Sequence, residues 1–406
     1  MAQRVQSIDL FAYAIKKKLD INLINPPSIV TLPMLEEKEK STIVVGSFHN
    51  GPIYSVRLKN VVLVAGEYFF TEDGFLITGD LYFHNYSVCL KYKNFNMSDV
   101  APGVELFNKA FDVEESLLKY EREISDPVCF LSGGPDKAYF GHWFMEFLSK
   151  TFLFKTYGDV HKYIISDELP SSFFNWVPSL VSKEQSAMKI FLGEPVLFRD
   201  VVVSSNTLCR NSQKGDIKIW FDGFYQLREK AFELVKYREK FKKRKSKSLL
   251  YIARKEGNSR RVKDEEDLIE AFSKTEIEVK KIFIEDFSID EQINLVASAD
   301  ILMFSMGSGS QASCFCHRNA VVVELTPKGA GAFFGGRLYA VLFSLRYLRV
   351  DCFITGEQTG THQLDRDISI GKEKIKALVD KLCAMQELFP RNGGQHFFGI
   401  PRLSQI

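Results

Sequence analysis

Residues 41 to about 110 alternate apolar and polar positions with a period of two. Clear examples are the segments 55–64 and 71–77. A period of two favours strands whose two faces differ, and the turn residues between these segments favour hairpins. We therefore expect residues 1–110 to form a β-rich N-terminal segment of short antiparallel strands that packs on the first domain.

From residue 111 onward, helix-like periodicity alternates with short apolar runs. The helix-like segments are 146–157 and 222–240, and the strand-like runs are 162–166 and 201–204. This alternation is typical of βα units. We expect residues 111–244 to form a first Rossmann-like domain.

A compact series of strands and helices follows a run of basic residues at 236–247. It predicts strands at 248–253, 277–284, 300–305 and 320–325, and helices at 264–273, 290–298 and from 309 onward. Such a series favours an open α/β domain with a parallel sheet, which we place at 245–406. The basic run is interpreted as the junction between the two domains. Contact with an anionic membrane surface or a charged acceptor is the alternative interpretation of this run.

Length and composition favour a two-domain cytosolic protein. A chain of 406 residues exceeds what a single hydrophobic core usually serves, and a cleft between two domains is the expected ligand site. The formal net charge of +2 gives no global basis for nucleic-acid binding, so any cationic site has to be local. The seven cysteines are scattered, mostly within apolar runs, as in reduced proteins. We expect neither a signal peptide nor a membrane span, and a cytoplasmic location.

Three arginines follow the predicted strand at 248–253. Arg254 comes directly after the strand, and Arg260 and Arg261 lie a few residues further on. Open α/β sheets bind ligands at the carboxyl ends of their strands, and guanidinium groups donate bidentate hydrogen bonds to phosphate oxygens. We expect Arg254, together with Arg260 or Arg261, to bind a diphosphate. An exposed arginine pair bonded to Glu265 or Glu266 is the alternative.

A glycine-rich turn follows the predicted strand at 300–305. The residues expected to contact phosphate or nucleobase are Ser305, Gly307, Ser308, Gly309 and Ser310. The turn formally matches a dinucleotide fingerprint. However, three predicted strands precede it, whereas the fingerprint opens the domain of a dehydrogenase, and this position argues against NAD. A tight turn that merely requires small residues is the alternative.

A carboxylate lies at the end of the predicted strand at 320–325. Facing a cleft, Glu324 could accept hydrogen bonds from both ribose hydroxyls of a nucleotide. A helix cap or a surface acid is the alternative role.

A histidine and a glutamate are spaced by four residues in the first half of the chain. His142 and Glu146 follow a glycine-rich segment at 133–141 and would share one face of a helix. Either group could remove a proton from an acceptor hydroxyl, and the sequence does not assign the base. A polar pair satisfied inside an aromatic core is the alternative.

A metal site is not expected from the sequence. Cys314, Cys316 and His317 offer soft ligands, but a zinc site needs about four ligands and no second cluster accompanies them. We interpret these cysteines as core residues and expect neither a metal nor another cofactor.

In the order of these motifs, the chain resembles glycosyltransferase family 61. The shared features over about residues 50–350 are Leu58-Lys-Asn-Val, His142-Trp143 with Glu146, Ala253-Arg254 with Arg260 or Arg261, Asp290-Glu-Gln292 with 297–300, Gly307-x-Gly309 and Val323-Glu324-Leu-x-Pro327. The family usually has a histidine where this chain has Met306, and commonly an asparagine where it has Tyr139. An asparagine is also common at the position of Asp264.

The resemblance implies a GT-B architecture, with two Rossmann-like domains facing a cleft. It also implies inverting, metal-independent transfer from a nucleotide-sugar, most often a UDP-sugar, to a glycan or glycolipid in polysaccharide biosynthesis. Cations and backbone amides would then stabilise the leaving diphosphate in place of a metal. A nicotinamide-dependent oxidoreductase and a non-catalytic nucleotide-sugar-binding protein are the alternative functions.

Overall fold

The computed structural model shows a mixed α/β protein. It describes residues 2–35, 43–64, 68–79, 110–115, 118–131, 140–167, 169–180, 186–190, 194–205, 207–211, 216–236, 246–330, 336–358, 365–387 and 403–405. Within these residues the chain divides into two compact units. The first comprises residues 1–30 and 47–227, and the second comprises residues 31–46 and 228–406.

The strands have the following bounds: β1 (Ala2–Asp9), β2 (Ile21–Asn25), β3 (Ser28–Leu35), β4 (Ile43–Asn50), β5 (Ile53–Val64), β6 (Tyr68–Thr71), β7 (Phe75–Gly79), β8 (Ala110–Glu114), β9 (Arg122–Ile124), β10 (Val128–Phe130), β11 (Lys162–Ser166), β12 (Ser186–Ile190), β13 (Val196–Ser204), β14 (Leu208–Asn211), β15 (Asp216–Ile219), β16 (Lys247–Ile252), β17 (Ile277–Ile282), β18 (Ile301–Ser305), β19 (Val321–Pro327), β20 (Arg346–Thr355), β21 (Asp367–Ser369) and β22 (Leu403–Gln405). The α-helices are α1 (Leu10–Lys17), α2 (Phe140–His142), α3 (Ser171–Phe174), α4 (Trp176–Leu180), α5 (Phe221–Leu234), α6 (Glu265–Ser273), α7 (Ile289–Ser298), α8 (Gly336–Leu342) and α9 (Lys372–Glu387). A π-helical turn at Trp143–Phe147 and 3-10 helices at Leu148–Thr156, Ile284–Asp286 and Ser308–Phe315 complete the helical elements of the described residues.

The main sheet of the first unit has the strand order β12-β11-β10-β13-β5-β6-β7-β1-β8. The four neighbouring strands β12, β11, β10 and β13 are parallel. If these four strands are counted along the chain from β10, their order across the sheet is third, second, first, fourth. That is the order of a Rossmann half-sheet, with its switch point between β10 and β13. The antiparallel hairpins predicted at the N-terminus are confirmed in β5, β6 and β7, which extend this same sheet.

The sheet of the second unit has the order β17-β16-β18-β19-β20, and its strands are all parallel. By position in the chain, this order is second, first, third, fourth, fifth, so the switch point lies between β16 and β18. β21 adds antiparallel to the carboxyl end of β20. The parallel sheet predicted for this half of the chain is thus confirmed, with strand bounds close to the predicted ones.

Alternation along these strands decides which residues form the core. Leu249 and Tyr251 of β16 and Met303 of β18 share one face, which packs against apolar residues of α6 and α9 such as Phe272 and Leu378. Successive side chains of a strand point to opposite faces, so the residues between them lie on the other face. Burial of this apolar area is the main stabilising contribution to the unit.

Two of the predicted helices are of a different type in the structure. The segment predicted as one helix at 146–157 is the π turn followed by the 3-10 helix at Leu148–Thr156, and the helix predicted from 309 is also 3-10. In the former, hydroxyls donate back to carbonyls of the preceding turn, from Thr151 to Leu148 at 2.7 Å and from Ser149 to Met145 at 3.4 Å. Such bonds compete with regular α-helical bonding.

Candidate functional site

The carboxyl ends of two parallel strands meet at the switch point of the second unit. β16 ends at Ile252, which pairs with Phe304 near the end of β18. β17 lies on the outer side of β16, and β19 lies on the far side of β18, so the chain leaves this point in opposite directions. Ligands of open α/β sheets bind at such points.

Arg254 follows β16 and occupies this switch point. Its Nε donates to Ser305 Oγ at 2.8 Å, its Nη1 to the Ser259 carbonyl at 3.0 Å and its Nη2 to the Met306 carbonyl at 2.9 Å. All three acceptors are neutral, and among the described residues no carboxylate forms an ion pair with Arg254. Burial, followed by repulsion from Arg260, lowers the pKa of Arg254 to about 10. The guanidinium is therefore still charged at neutral pH, but its charge is poorly compensated.

Arg260 reaches the same turn from the loop that follows β16. Its Nη1 donates to the Met306 carbonyl at 3.0 Å, and its Nη2 donates to Asp365 Oδ1 at 3.0 Å. Its Nε is buried and has no hydrogen-bond partner within the described part of the chain. The Met306 carbonyl thus accepts hydrogen bonds from two guanidinium groups.

The close approach of Arg254 to the turn depends on Gly307. This residue has φ 136° and ψ −151°, a conformation that residues with a side chain rarely adopt. A Cβ added at Gly307 would lie 2.0 Å from Nη2 of Arg254. A Cβ at Gly309 would meet its nearest neighbours, side-chain atoms of Ile252 and Phe304, at 3.6 Å, which is ordinary contact. The geometry therefore requires glycine at 307 and not at 309.

The two serines of the turn occupy different environments. Ser308 is exposed and begins the 3-10 helix. Ser310 is buried, and its amide donates to the Gly307 carbonyl at 3.0 Å. The first amides of a helix have no partner inside it, so this exposed start can donate to an anion.

Arg261 points to a different group. Its backbone amide and its Nη2 donate to the two carboxylate oxygens of Asp367, each at 3.1 Å, and Lys263 lies 2.7 Å from the same carboxylate. The sequence left Arg260 and Arg261 interchangeable. The structure brings Arg260 to the turn beside Arg254 and holds Arg261 on Asp367.

Glu324 does not lie at the end of its strand, and this part of the sequence prediction was wrong. β19 continues to Pro327 in register with β20, and Glu324 is 0% exposed in the middle of the strand. The Tyr347 hydroxyl donates to its Oε2 at 2.8 Å, while Oε1 has no hydrogen-bond partner among the described residues. Burial raises the pKa of Glu324 to about 7, against the lowering effect of the Tyr347 hydroxyl and two nearby arginines.

The acid–base candidates of the first unit lie where the helix type changes. His142 ends α2 and its side chain falls outside the described structure, as do residues 132–139 of the preceding glycine-rich segment. Glu146 is 6% exposed within the π turn, and its carbonyl accepts a hydrogen bond from Thr207 Oγ1 at 3.1 Å. Single π turns occur frequently at functional sites. The structure thus places Glu146 beside Thr207, just beyond the carboxyl end of β13.

The family model described as Glycosyltransferase 61 matches residues 140–323. This match supports the assignment of the chain to glycosyltransferase family 61. The chain is therefore an enzyme that transfers a sugar from a donor to an acceptor. The matched range includes His142, Glu146 and the candidate donor residues Arg254 to Ser310, and ends one residue before Glu324. A comparison with curated proteins gave no match.

Sequence reasoning missed the acids that bind the arginines of the candidate donor site. Asp365 and Asp367 come from a segment more than a hundred positions after the residues they contact. Their spacing by two next to a short apolar run is a weak strand signal. That signal does not predict that the two aspartates bind the loop with Arg260 and Arg261.

The described residues also bear on metal and membrane binding. Among them, no group of three or more His, Cys, Asp and Glu could hold a metal ion. Cys314 and Cys316 are fully buried, and burial raises the pKa of both thiols well above the ordinary value.

None of the described helices is both long enough and apolar enough to cross a bilayer. Most of the basic run at 236–247 lies outside the described residues.

Proposed function

We propose that the chain is an inverting, metal-independent glycosyltransferase of GT-B architecture. In this proposal it takes a nucleotide-sugar, by preference a UDP-sugar, and glycosylates a glycan or glycolipid acceptor in cell-surface polysaccharide biosynthesis. Its place would be the cytoplasm, at the inner face of the membrane. Family membership supports glycosyl transfer, and the finer statements are supported by the geometry below.

The topology of each unit supports the GT-B part of the proposal. A GT-B enzyme is built from two Rossmann-like domains, and both units contain parallel strands in a doubly wound order with a switch point. In the second unit, the cationic groups lie at that point. In the first unit, the segment with His142 and Glu146 follows β10, one of the two strands at the switch point.

The observation that carries the donor assignment is the environment of Arg254. Arg254 is bonded to three neutral acceptors, and a second guanidinium, that of Arg260, donates to one of the same carbonyls. Among the described residues, the carboxylate of Asp365 pairs with Arg260 and none pairs with Arg254, so the two guanidinium groups carry more charge than this one carboxylate neutralises. Burial of unpaired charge is costly, and a bound anion offsets that cost. A diphosphate carries the required charge and accepts hydrogen bonds from guanidinium groups and from backbone amides. Arg254, Arg260 and the start of the 3-10 helix at Ser308 would supply these donors.

In the proposed reaction, the acceptor hydroxyl attacks the anomeric carbon from the face opposite the diphosphate. The new glycosidic C–O bond forms as the bond to the diphosphate oxygen breaks, which inverts the configuration. His142 or Glu146 takes the hydroxyl proton. The electron pair leaves with the nucleoside diphosphate, whose charge is stabilised by the guanidinium groups.

Glu324 and Arg261 have weaker support in the donor site. Glu324 is buried in this structure, so its carboxylate is not open to a ribose. Its role in binding the ribose stays a prediction. Arg261 is engaged by Asp367, so we assign the diphosphate to Arg254 and Arg260 first.

A donor panel in the presence of EDTA tests the proposal. Purified chain is incubated with UDP-, GDP- and CMP-sugars and an acceptor extract, and nucleotide release and glycan product are measured. We expect turnover of at least one donor, and the chelator should not reduce it. Complete loss of turnover in EDTA would contradict the metal-independent mechanism. Tight UDP binding without hydrolysis or transfer would favour a non-catalytic nucleotide-sugar-binding protein.

A further inference from the structure

The loop that carries Arg260 and Arg261 is bound by a backbone ladder to the segment around β21. The Arg260 amide donates to the Arg366 carbonyl at 3.1 Å, the Ile368 amide to the Arg261 carbonyl at 2.8 Å and the Lys263 amide to the Ile368 carbonyl at 2.8 Å. Arg260 itself has φ 64°, in the left-handed region that few non-glycine residues occupy. A conformation of this kind persists where the surroundings enforce it. The hydrogen bonds to the 365–369 segment therefore hold the backbone of Arg260 in this conformation, and the backbone conformation sets the direction of its side chain.

Two aspartates of this segment form ion pairs with different basic residues of the loop. Asp367 binds Arg261 and Lys263. Asp365 binds Arg260 through Oδ1 and Nη2 at 3.0 Å. The side chains of this second pair are 22% and 16% exposed, so solvent screens the pair less than it screens a surface ion pair.

The position of Arg260 requires such an anion. Arg254 and Arg260 donate to the same carbonyl, at 2.9 and 3.0 Å, so two like charges are held close together in a partly buried site. Their repulsion favours rotation of the Arg260 guanidinium, whose side chain is 22% exposed, away from Arg254. A carboxylate that accepts a hydrogen bond from Nη2 of Arg260, while Nη1 donates to the Met306 carbonyl, opposes this rotation and offsets part of the repulsion.

We propose that Asp365 is a positioning residue for the nucleotide-sugar diphosphate, because it holds the Arg260 guanidinium beside Arg254 at the Met306 carbonyl. The inference rests on the proposed function and adds to it a residue outside the range matched by the family model. Asp365 does not contact the diphosphate in this account. It acts through Arg260, which it keeps in the orientation that donates to phosphate.

The test compares Asp365→Ala and Asp365→Asn with the wild-type chain. The probe is whichever of UDP and GDP the wild type binds more tightly by titration calorimetry in EDTA, and the matching nucleoside is measured in parallel by ligand-observed NMR. Asp365→Ala should weaken diphosphate binding at least tenfold and should leave nucleoside affinity within about twofold. Asp365→Asn retains an acceptor oxygen for Nη2, and should recover part of the loss. Loss confined to the phosphorylated ligand, with partial rescue, distinguishes positioning from a general loss of structure.

Asp286→Ala is the matched control. Asp286 is an exposed carboxylate that forms an ion pair with Lys255, the residue after Arg254, and its removal changes the net charge equally. Its diphosphate affinity should stay within twofold of the wild type.

Three results would overturn the inference. They are unchanged or tighter diphosphate binding by Asp365→Ala, equal weakening of nucleoside and diphosphate, or an effect of the same size in Asp286→Ala. If Asp365→Ala does not fold, Asp365→Asn decides the question, with at least threefold weaker diphosphate binding expected and unchanged binding contradicting the proposal. Failure of the wild type to bind any nucleoside diphosphate would instead contradict the proposed function, and the inference would fall with it.

Discussion

At the scale of single residues, the backbone of Gly307 determines whether Arg254 can reach the turn. Gly307→Ala would force a residue with a Cβ into φ 136° and place that Cβ 2.0 Å from Nη2 of Arg254. Backbone strain of this kind costs about 1 to 3 kcal/mol, and the displaced guanidinium adds to it. We expect the free energy of unfolding, measured with urea, to fall by about 2 kcal/mol or more.

Gly309→Ala is the matched control for this prediction. It lies in the same turn, yet its Cβ would make ordinary contacts at 3.6 Å. Its free energy of unfolding should stay within about 0.5 kcal/mol of the wild type. Equal destabilisation by the two substitutions would contradict the special role of position 307.

Glu324 should make stability depend on pH. Its pKa is raised by burial from the ordinary 4.5 to about 7 in the folded state, so between these values the folded chain binds a proton that the unfolded chain does not. The free energy of unfolding therefore contains a contribution that is fully present below pH 4.5 and is lost as the pH rises to about 7. A shift of this size corresponds to about 3 kcal/mol.

The comparison that isolates this effect uses Glu324→Gln. The amide keeps an acceptor for the Tyr347 hydroxyl and cannot ionise. Urea unfolding of both proteins from pH 4.5 to 8 should show a wild-type stability that falls relative to the variant as the pH rises. A difference that does not change with pH would show that the carboxyl group has an ordinary pKa.

The sequence predicted individual site residues where they come directly after a recognisable strand. Arg254 and Gly307 were predicted because each lies just after an apolar run that could be recognised as a strand. Glu324 was predicted as a residue but misplaced, since the strand was expected to end at 325 and continues to Pro327. The sequence cannot show how deeply a side chain is buried, because burial depends on elements that are distant in the chain.

At the scale of elements, the connection between β21 and α9 is fastened to the arginine loop by Asp264. Its carboxylate accepts hydrogen bonds from the Ser369 hydroxyl at 2.8 Å and from the amides of Ile370 and Gly371 at 3.0 and 2.7 Å. Asp264→Ala would leave these donors without their acceptor, at a cost of about 2 kcal/mol or more. Calorimetric unfolding should show this loss, and the Ile368 amide, which pairs with the same loop, should exchange faster with solvent.

Asp264→Asn is the control. It keeps one carbonyl oxygen as an acceptor and should lose less than half as much stability as the alanine variant. Unchanged stability and exchange in Asp264→Ala would show that this contact does not hold the loop.

Regular elements were predictable to a greater extent than irregular ones. β16 to β18 and the helices between them follow clear periodicities, and their predicted bounds differ from the observed ones by a few residues at most. The π turn at 143–147 was not predictable, because its aromatic residues also fit an α-helix. Its form depends in part on hydroxyl bonds that the periodicity does not encode.

At the scale of the whole molecule, strand order places the candidate groups. The alternation of strands and helices predicted a parallel sheet, and the structure adds that β18 neighbours β16. That neighbour relation brings Arg254 and Gly307 together across 53 positions. It could not be derived from the sequence, because several strand orders are compatible with the same alternation.

Calorimetric titration of UDP and GDP into the wild-type chain, Arg254→Lys and Arg254→Ala in EDTA tests whether Arg254 binds the diphosphate without a metal. Arg254→Lys keeps the charge and loses the planar fork, so it separates charge from geometry. We expect metal-free binding by the wild type. We also expect a loss of about 2 to 3 kcal/mol of binding free energy in Arg254→Ala and a smaller loss in Arg254→Lys. Equal affinity of the wild type and Arg254→Ala, or binding that requires a divalent cation, would contradict the assignment of Arg254 to a metal-free diphosphate site.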